Sequence, residues 1–255
     1  MLGYNASARL LDSSIKNKNI DTFGRYLLNE LNRLEFSFCE YLREQVSSSN
    51  FYNEKADRLL NILTSKPKTD IEVKTQSTRK IYYLNFNYTL PSTKQLNRNG
   101  TNVHGYIGEK EDNDEGNVII GIDQEQINDN NMFEYLFTKT YRKLFLKENF
   151  TSQPLPPISL VRRIVFFGHS LGSADYSYFR SIFDYYNIES SDIELVFYYS
   201  IYCEKIKEEI AQKHFKDVYN LLIDYSGKTN KNSGKNLIHR LLLEHRLRII
   251  EVAEH

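Results

Sequence analysis

Three features of the 255-residue sequence predict an α/β protein with a three-layer, mainly parallel sheet behind a helical amino-terminal segment. Apolar residues at steps of three and four run from Ile20 to Val46, the period of one amphipathic helix. From residue 79 the texture changes to short apolar and aromatic runs of strand length. From about residue 128 onward the order is helix, loop, strand, helix, strand, helix, the alternation expected of crossovers on a parallel sheet. The boundary is set at 1–78 for the helical segment and 79–255 for the α/β domain.

The first helix presents Ile20, Phe23, Leu27, Leu31, Leu34, Phe38, Leu42 and Val46 on one stripe, with Asp21 as its expected N-cap and Ser47–Asn50 as its stop. A second helix is expected from Tyr52 to Leu63, ended by Pro67. Simple packing explains both; a coiled-coil partner is the minor alternative. Expected strands are Lys80–Phe86, Thr101–Tyr106, Asn117–Ile122, Arg163–Phe167 and Ile193–Ser200. Expected helices are Met132–Lys147, Ala174–Tyr186 and Cys203–Leu222, and the basic amphipathic tail Leu237–Val252 reads as a docked terminal helix. Phe150–Pro157 and Ser226–Asn236 read as connections, from their proline and glycine content.

Composition narrows the functional classes. Lys and Arg number 33 and Asp and Glu 33, so nothing supports binding nucleic acid by bulk charge. Two cysteines, Cys39 and Cys203, make neither a disulfide framework nor a four-ligand zinc site. The opening residues have no signal-peptide pattern and no apolar run reaches membrane-spanning length, so a cytoplasmic location without membrane insertion is expected.

Three segments place small or polar residues at the carboxyl end of an expected strand, where open α/β sheets bind ligands. Asn87 follows the first strand; such an Asn caps a turn or offers an amide to a sugar hydroxyl or a water. His104 and Gly105 end the second; such a His is structural or a general base, and the Gly lets a ligand or backbone come close. The run Phe167-Gly168-His169-Ser170-Leu171-Gly172 follows a buried strand and precedes a helix, and it takes two readings. As a G-x-S-x-G nucleophile elbow it makes a serine hydrolase, completed by Asp192, Asp217 or Asp224 and then His239 or His245. Against that, the histidines lie in a helical apolar pattern and His104-Gly105 lacks an oxyanion loop's run of glycines.

The second reading rests on a family. The succession Phe86–Thr89, Val103–Gly105, Ile119–Asp123 and Phe167–Gly172 with Asp175 resembles the AbiH family, known from bacterial abortive infection against phage, and more distantly the Sir2-like NAD-binding domain. The likeness covers roughly residues 80 to 186. It implies a Rossmann-like, Sir2-like sheet and NAD as the nucleotide. Asn87 would face the nicotinamide ribose or hold the attacking water, and His104, beside Gly105, would be the base. Gly168, His169 and Ser170 would line the phosphates or adenosine ribose, and Asp175 would order the loop. The implied chemistry is cleavage of the nicotinamide–ribose bond without a metal. Such chains open with a strand and a glycine-rich phosphate cradle that has no counterpart here, since Met1–Asn5 holds one glycine. The chain therefore reads either as one lacking that strand or as one with an altered cofactor site. A third reading is a non-catalytic module that senses a nucleotide, or a phage component or partner protein through its amino-terminal helices.

Gly227-Lys-Thr and Gly234-Lys-Asn lack Walker spacing, and His239 to His245 is too long for H-x-x-E-H. The acidic run Asp112–Glu115 reads as a solvated loop.

Overall fold

The computed structural model describes residues 13–49, 51–64, 80–89, 100–108, 116–127, 133–145, 155–228 and 236–252, with side chains in the first helix from residue 22. The chain folds as two compact units with interleaved segments: Met1–Tyr52, Leu84–Pro91 and Gly100–Thr151 form one; Asn53–Tyr83, Ser92–Asn99 and Ser152–His255 form the other. The class is mixed α/β. Its named sheets have two and three strands, and no described helix is long and apolar enough to cross a membrane.

Helix α1, Ser13–Ser48, dominates the first unit. It begins eight residues before Asp21, which therefore lies inside it rather than capping it; nothing between Ser13 and Asp21 is a glycine or proline that would stop a helix. The expected stripe is rotated as well. Phe23 and Leu34 are more than half exposed, while the buried positions are Gly24, Glu35, Cys39 and Arg43. Gly24 lies against the Phe133 side chain, which an added Cβ would meet at 3.2 Å. Cys39 packs with Ile107 and Val118, flanked by Phe38, Leu42, Val46, Tyr88 and Ile120. The apolar periodicity thus locates the helix but not its buried face.

Strands β1, Tyr83–Asn85, and β2, Gly100–Asn102, pair as a short ribbon, much shorter than the runs that suggested them. The chain turns at Val103–His104, and Val103 N–H still reaches Asn85 O at 2.8 Å. Asn117–Ile122 is not a strand: its one bridge joins Ile122 to Thr138. Its backbone groups go elsewhere, Asn117 N–H to Tyr106 O, Ile119 N–H to His104 O and Ile120 N–H to the Glu35 side chain. The helix expected over Met132–Lys147 is divided into a 3₁₀ turn, Glu134–Phe137, and helix α3, Lys139–Phe145, with Thr138 extended between them.

The second unit is built on a parallel sheet of order β3-β4-β5, with β3 Arg163–Phe166, β4 Glu194–Ser200 and β5 Leu247–Val252. The last strand corrects the tail: only α6, Leu237–Leu243, is helical, a turn with His245 at φ 54° follows, and β5 then pairs with β4 from Leu195↔Leu247 to Ser200↔Val252. The Ile249-Ile250 pair suits a pleated surface. Leu195, Val196, Phe197 and Tyr198 are all buried, as a central parallel strand requires. Phe197 stacks on its register partner Phe166 at 4.4 Å, and Phe166 meets Phe179 and Phe183 of helix α4, Tyr176–Tyr185, edge-on. The alternate residues Val196, Tyr198 and Val252 pack with Leu63 of helix α2, Tyr52–Thr64. Helix α5, Lys207–Lys228, runs past Ser226, so the expected connection begins later; residues 229–235 and 150–154 lie outside the described residues, as does Asp112–Glu115. Glu194 holds the strand starts together, ion-paired to Arg163 on one neighbour and Arg248 on the other, each at 2.7 Å.

Candidate functional site

Asn87 is exposed in the bend after β1, where its backbone N–H donates to Asn85 Oδ1 at 3.0 Å. The organising residue is Asn85. Its Nδ2 donates to Thr89 O at 2.7 Å and to Asn102 Oδ1 at 2.8 Å, tying the bend to β2. Asn85 and Asn87 look alike in the sequence, and only the pairing of β1 with β2 separates the holder from the exposed amide.

His104 is 5 % exposed and sets its ring edge-on to Phe86 at 5.5 Å. Gly105 has φ 81°, and a Cβ on it would lie 1.8 Å from Asn117 O. A glycine is therefore required there by the close approach of backbone to backbone. Lys143 of α3 donates to Val103 O at 2.9 Å, holding the residue before His104.

In the second unit, β3 ends at the carboxyl edge of the parallel sheet and runs into Gly168, at φ 69° with nothing within 4 Å of an added Cβ. Here the glycine supplies conformation rather than room. Leu171 N–H donates to His169 Nδ1 at 2.8 Å, so the ring proton sits on Nε2, which faces Asp175 Oδ2 at 3.0 Å. The ring also meets Phe179 edge-on at 4.9 Å. His169 is thereby a brace between the two ends of the turn, and Ser170 stands exposed on its outside.

That geometry departs from a nucleophile elbow. The left-handed non-glycine residue is Leu171, φ 51°, and not Ser170. The acceptor nitrogen of His169 is occupied, and among the described residues no histidine hydrogen-bonds Ser170 Oγ. Of the residues suggested to complete a triad, Asp224 pairs with Arg180 and Asp217 with Lys213 at 2.6 Å, while His239 and His245 are exposed on α6 and the turn after it. Asn87, His104 and Gly105 thus belong to the first unit, and Gly168, His169, Ser170 and Asp175 to the second.

One constellation has no forerunner in the motifs. Glu35 and Arg142, 107 positions apart, form a buried pair: Nη1 donates to Oε1 and Nη2 to Oε2 at 2.6 Å. Both also grip one peptide, since Ile120 N–H donates to Glu35 Oε1 at 2.7 Å and Arg142 Nη1 to Ile120 O at 3.0 Å. A fourth donation runs from Nη2 to Asn32 Oδ1 at 2.8 Å. The one local sign is an acidic residue on the buried side of α1. Nearby, burial pushes the Cys39 thiol above its ordinary pKa. Among the described residues, no three His, Cys, Asp or Glu side chains gather as metal ligands would.

Compared with known families, residues 5–199 match the one described as bacteriophage abortive infection AbiH. No curated protein and no solved structure matches the chain.

Proposed function

The chain belongs to the bacteriophage abortive infection AbiH family, and on that premise we propose that it is an antiphage protein of the cytoplasm that binds a dinucleotide and cleaves NAD. The observation that carries the reading is the turn after β3. At the carboxyl edge of a parallel sheet, a left-handed glycine and a His169–Asp175 brace hold Ser170 out toward solvent. A Rossmann-like layering is part of the reading, supported by Leu63 against one set of sheet residues and Phe179 and Phe183 against the other.

In the proposed reaction, water adds to the anomeric carbon of the nicotinamide ribose as the carbon–nitrogen bond breaks. Nicotinamide leaves with the bonding pair and the water proton passes to His104. Asn87 orients the water or a ribose hydroxyl through its exposed amide. In the second unit, the turn after β3 offers Gly168 backbone and the Ser170 hydroxyl to phosphates or an adenosine ribose.

Incubating the purified chain with NAD and quantifying nicotinamide by chromatography tests the proposal. Release that falls at least a hundredfold in Asn87→Ala and His104→Ala, with a raised KM in Ser170→Ala, is expected. No nicotinamide above the buffer rate rejects the chemistry, and phage plating on cells carrying the same variants then shows whether protection depends on these residues at all.

A further inference from the structure

Between α1, residues 116–118 and α3, the first unit carries a half-open cleft of about 300 Å³. This is the lower end of the size range of small-molecule sites. Leu28, Phe36, Leu136, Tyr141 and Phe145 make most of its wall apolar and aromatic. Its polar lining is Asn32, Glu35, Asn117 and Arg142.

The inventory of donors and acceptors fixes what fits. A guanidinium has five N–H groups. The two on Nη1 go to Glu35 Oε1 and Ile120 O, and the two on Nη2 to Glu35 Oε2 and Asn32 Oδ1, which leaves Nε–H. Asn32 must turn its oxygen to the guanidinium, because a guanidinium only donates, and its amide N–H groups are therefore presented on the other side. Glu35 Oε1 accepts from Arg142 and Ile120 N–H, and Oε2 accepts from Arg142. The lining thus includes donors at the Asn32 amide and Arg142 Nε–H, while its two formal charges cancel. A charged ligand meets no net opposite charge in this lining, whereas a neutral ring with a carbonyl meets both the donors and the aromatic wall.

We propose that this cleft is a binding site for a neutral, ring-bearing small molecule with a carbonyl acceptor, such as an aromatic amide. The site stands independently of NAD cleavage. It also bears on the His104 segment, since the wall residue Asn117 bonds to Tyr106 through both its backbone N–H and its side-chain oxygen, and a Gly105 Cβ would strike its carbonyl.

The sequence has no tryptophan, so Phe145→Trp, at a position 75 % exposed on the cleft wall, installs one reporter. Titrating that full-length variant with benzamide, and separately with benzoate and benzylammonium, is the experiment. A saturable change in emission with benzamide, with both charged analogues at least about tenfold weaker, is expected. Adding Leu28→Phe to fill the cleft weakens benzamide by about tenfold or more. A thermal melt shows whether that double variant is folded; if it is not, Asn32→Leu, which removes donors from the rim, is used and the same weakening is expected. A linear, unsaturable response overturns the proposal. So does tighter binding of either charged analogue, or binding that neither variant weakens.

Discussion

Arg142 meets Glu35 end on, one nitrogen to each carboxylate oxygen, with side chains only 10 % and 8 % exposed. Removing one partner strands a buried charge, at a cost of about 3–5 kcal/mol. Glu35→Leu and Arg142→Met are each expected to lower unfolding stability by that order in urea titration. The double variant Glu35→Leu, Arg142→Met is expected to cost less than the sum, because no unpaired charge remains. Additive losses would show that the two side chains act separately.

Gly105→Ala and Gly168→Ala separate room from conformation. Both glycines have positive φ, worth about 1–2 kcal/mol against an L-residue. At Gly168 that is the whole expected cost, since no atom lies within 4 Å of the new methyl. At Gly105 the methyl would sit 1.8 Å from Asn117 O, so the backbone must part. Thermal melts should show a modest shift for Gly168→Ala and loss of the folded first unit for Gly105→Ala. Equal effects would contradict the difference in surroundings.

His169→Phe keeps a ring against Phe179 but removes the acceptor for Leu171 N–H, at a residue 2 % exposed. An unsatisfied buried N–H costs about 1–3 kcal/mol. Hydrogen exchange at the Leu171 amide should accelerate accordingly. Asp175→Asn still offers an oxygen to Nε2–H, and protection at Leu171 should change little.

Burial lowers the pKa of His214 from its ordinary 6.5, against an opposing pull from Asp217, while its ring stacks with Tyr199 at 5.1 Å. The folded state resists the proton that the unfolded state accepts, so stability rises with pH across this range. The contribution is complete above about 6.5 and is lost as pH falls toward the lowered folded value. Urea midpoints between pH 7.5 and 5 should decline less in His214→Phe than in the parent chain; an identical slope would place the titrating group elsewhere.

Strands β3 and β4 were legible because their apolar runs are continuous and short, as buried parallel strands are. Strand β5 was hidden by Arg248 and Glu251, whose spacing of three imitates a polar helix face. In the fold they are edge charges, one pairing with Glu194 and the other with Lys207. In the first unit, Asn117–Ile122 looked like a strand because composition does not show that Glu35 and Arg142 take the peptide of Ile120. The candidate residues were read from local motifs at strand ends, and Asn87 and Gly168 do follow β1 and β3, while His104 lies in a turn beyond the short β2. Asn85 and the Glu35–Arg142 pair escaped because their meaning depends on partners 17 and 107 positions away.

Of the three described strands of the parallel sheet, β5 comes last in chain order. Until Leu247–Val252 leaves the ribosome, β4 offers a free row of amides and carbonyls along an apolar ribbon from Leu195 to Ser200. A nascent or truncated chain that stops short of Leu247 therefore carries an adhesive flank, and such copies are drawn toward self-association rather than toward a working fold.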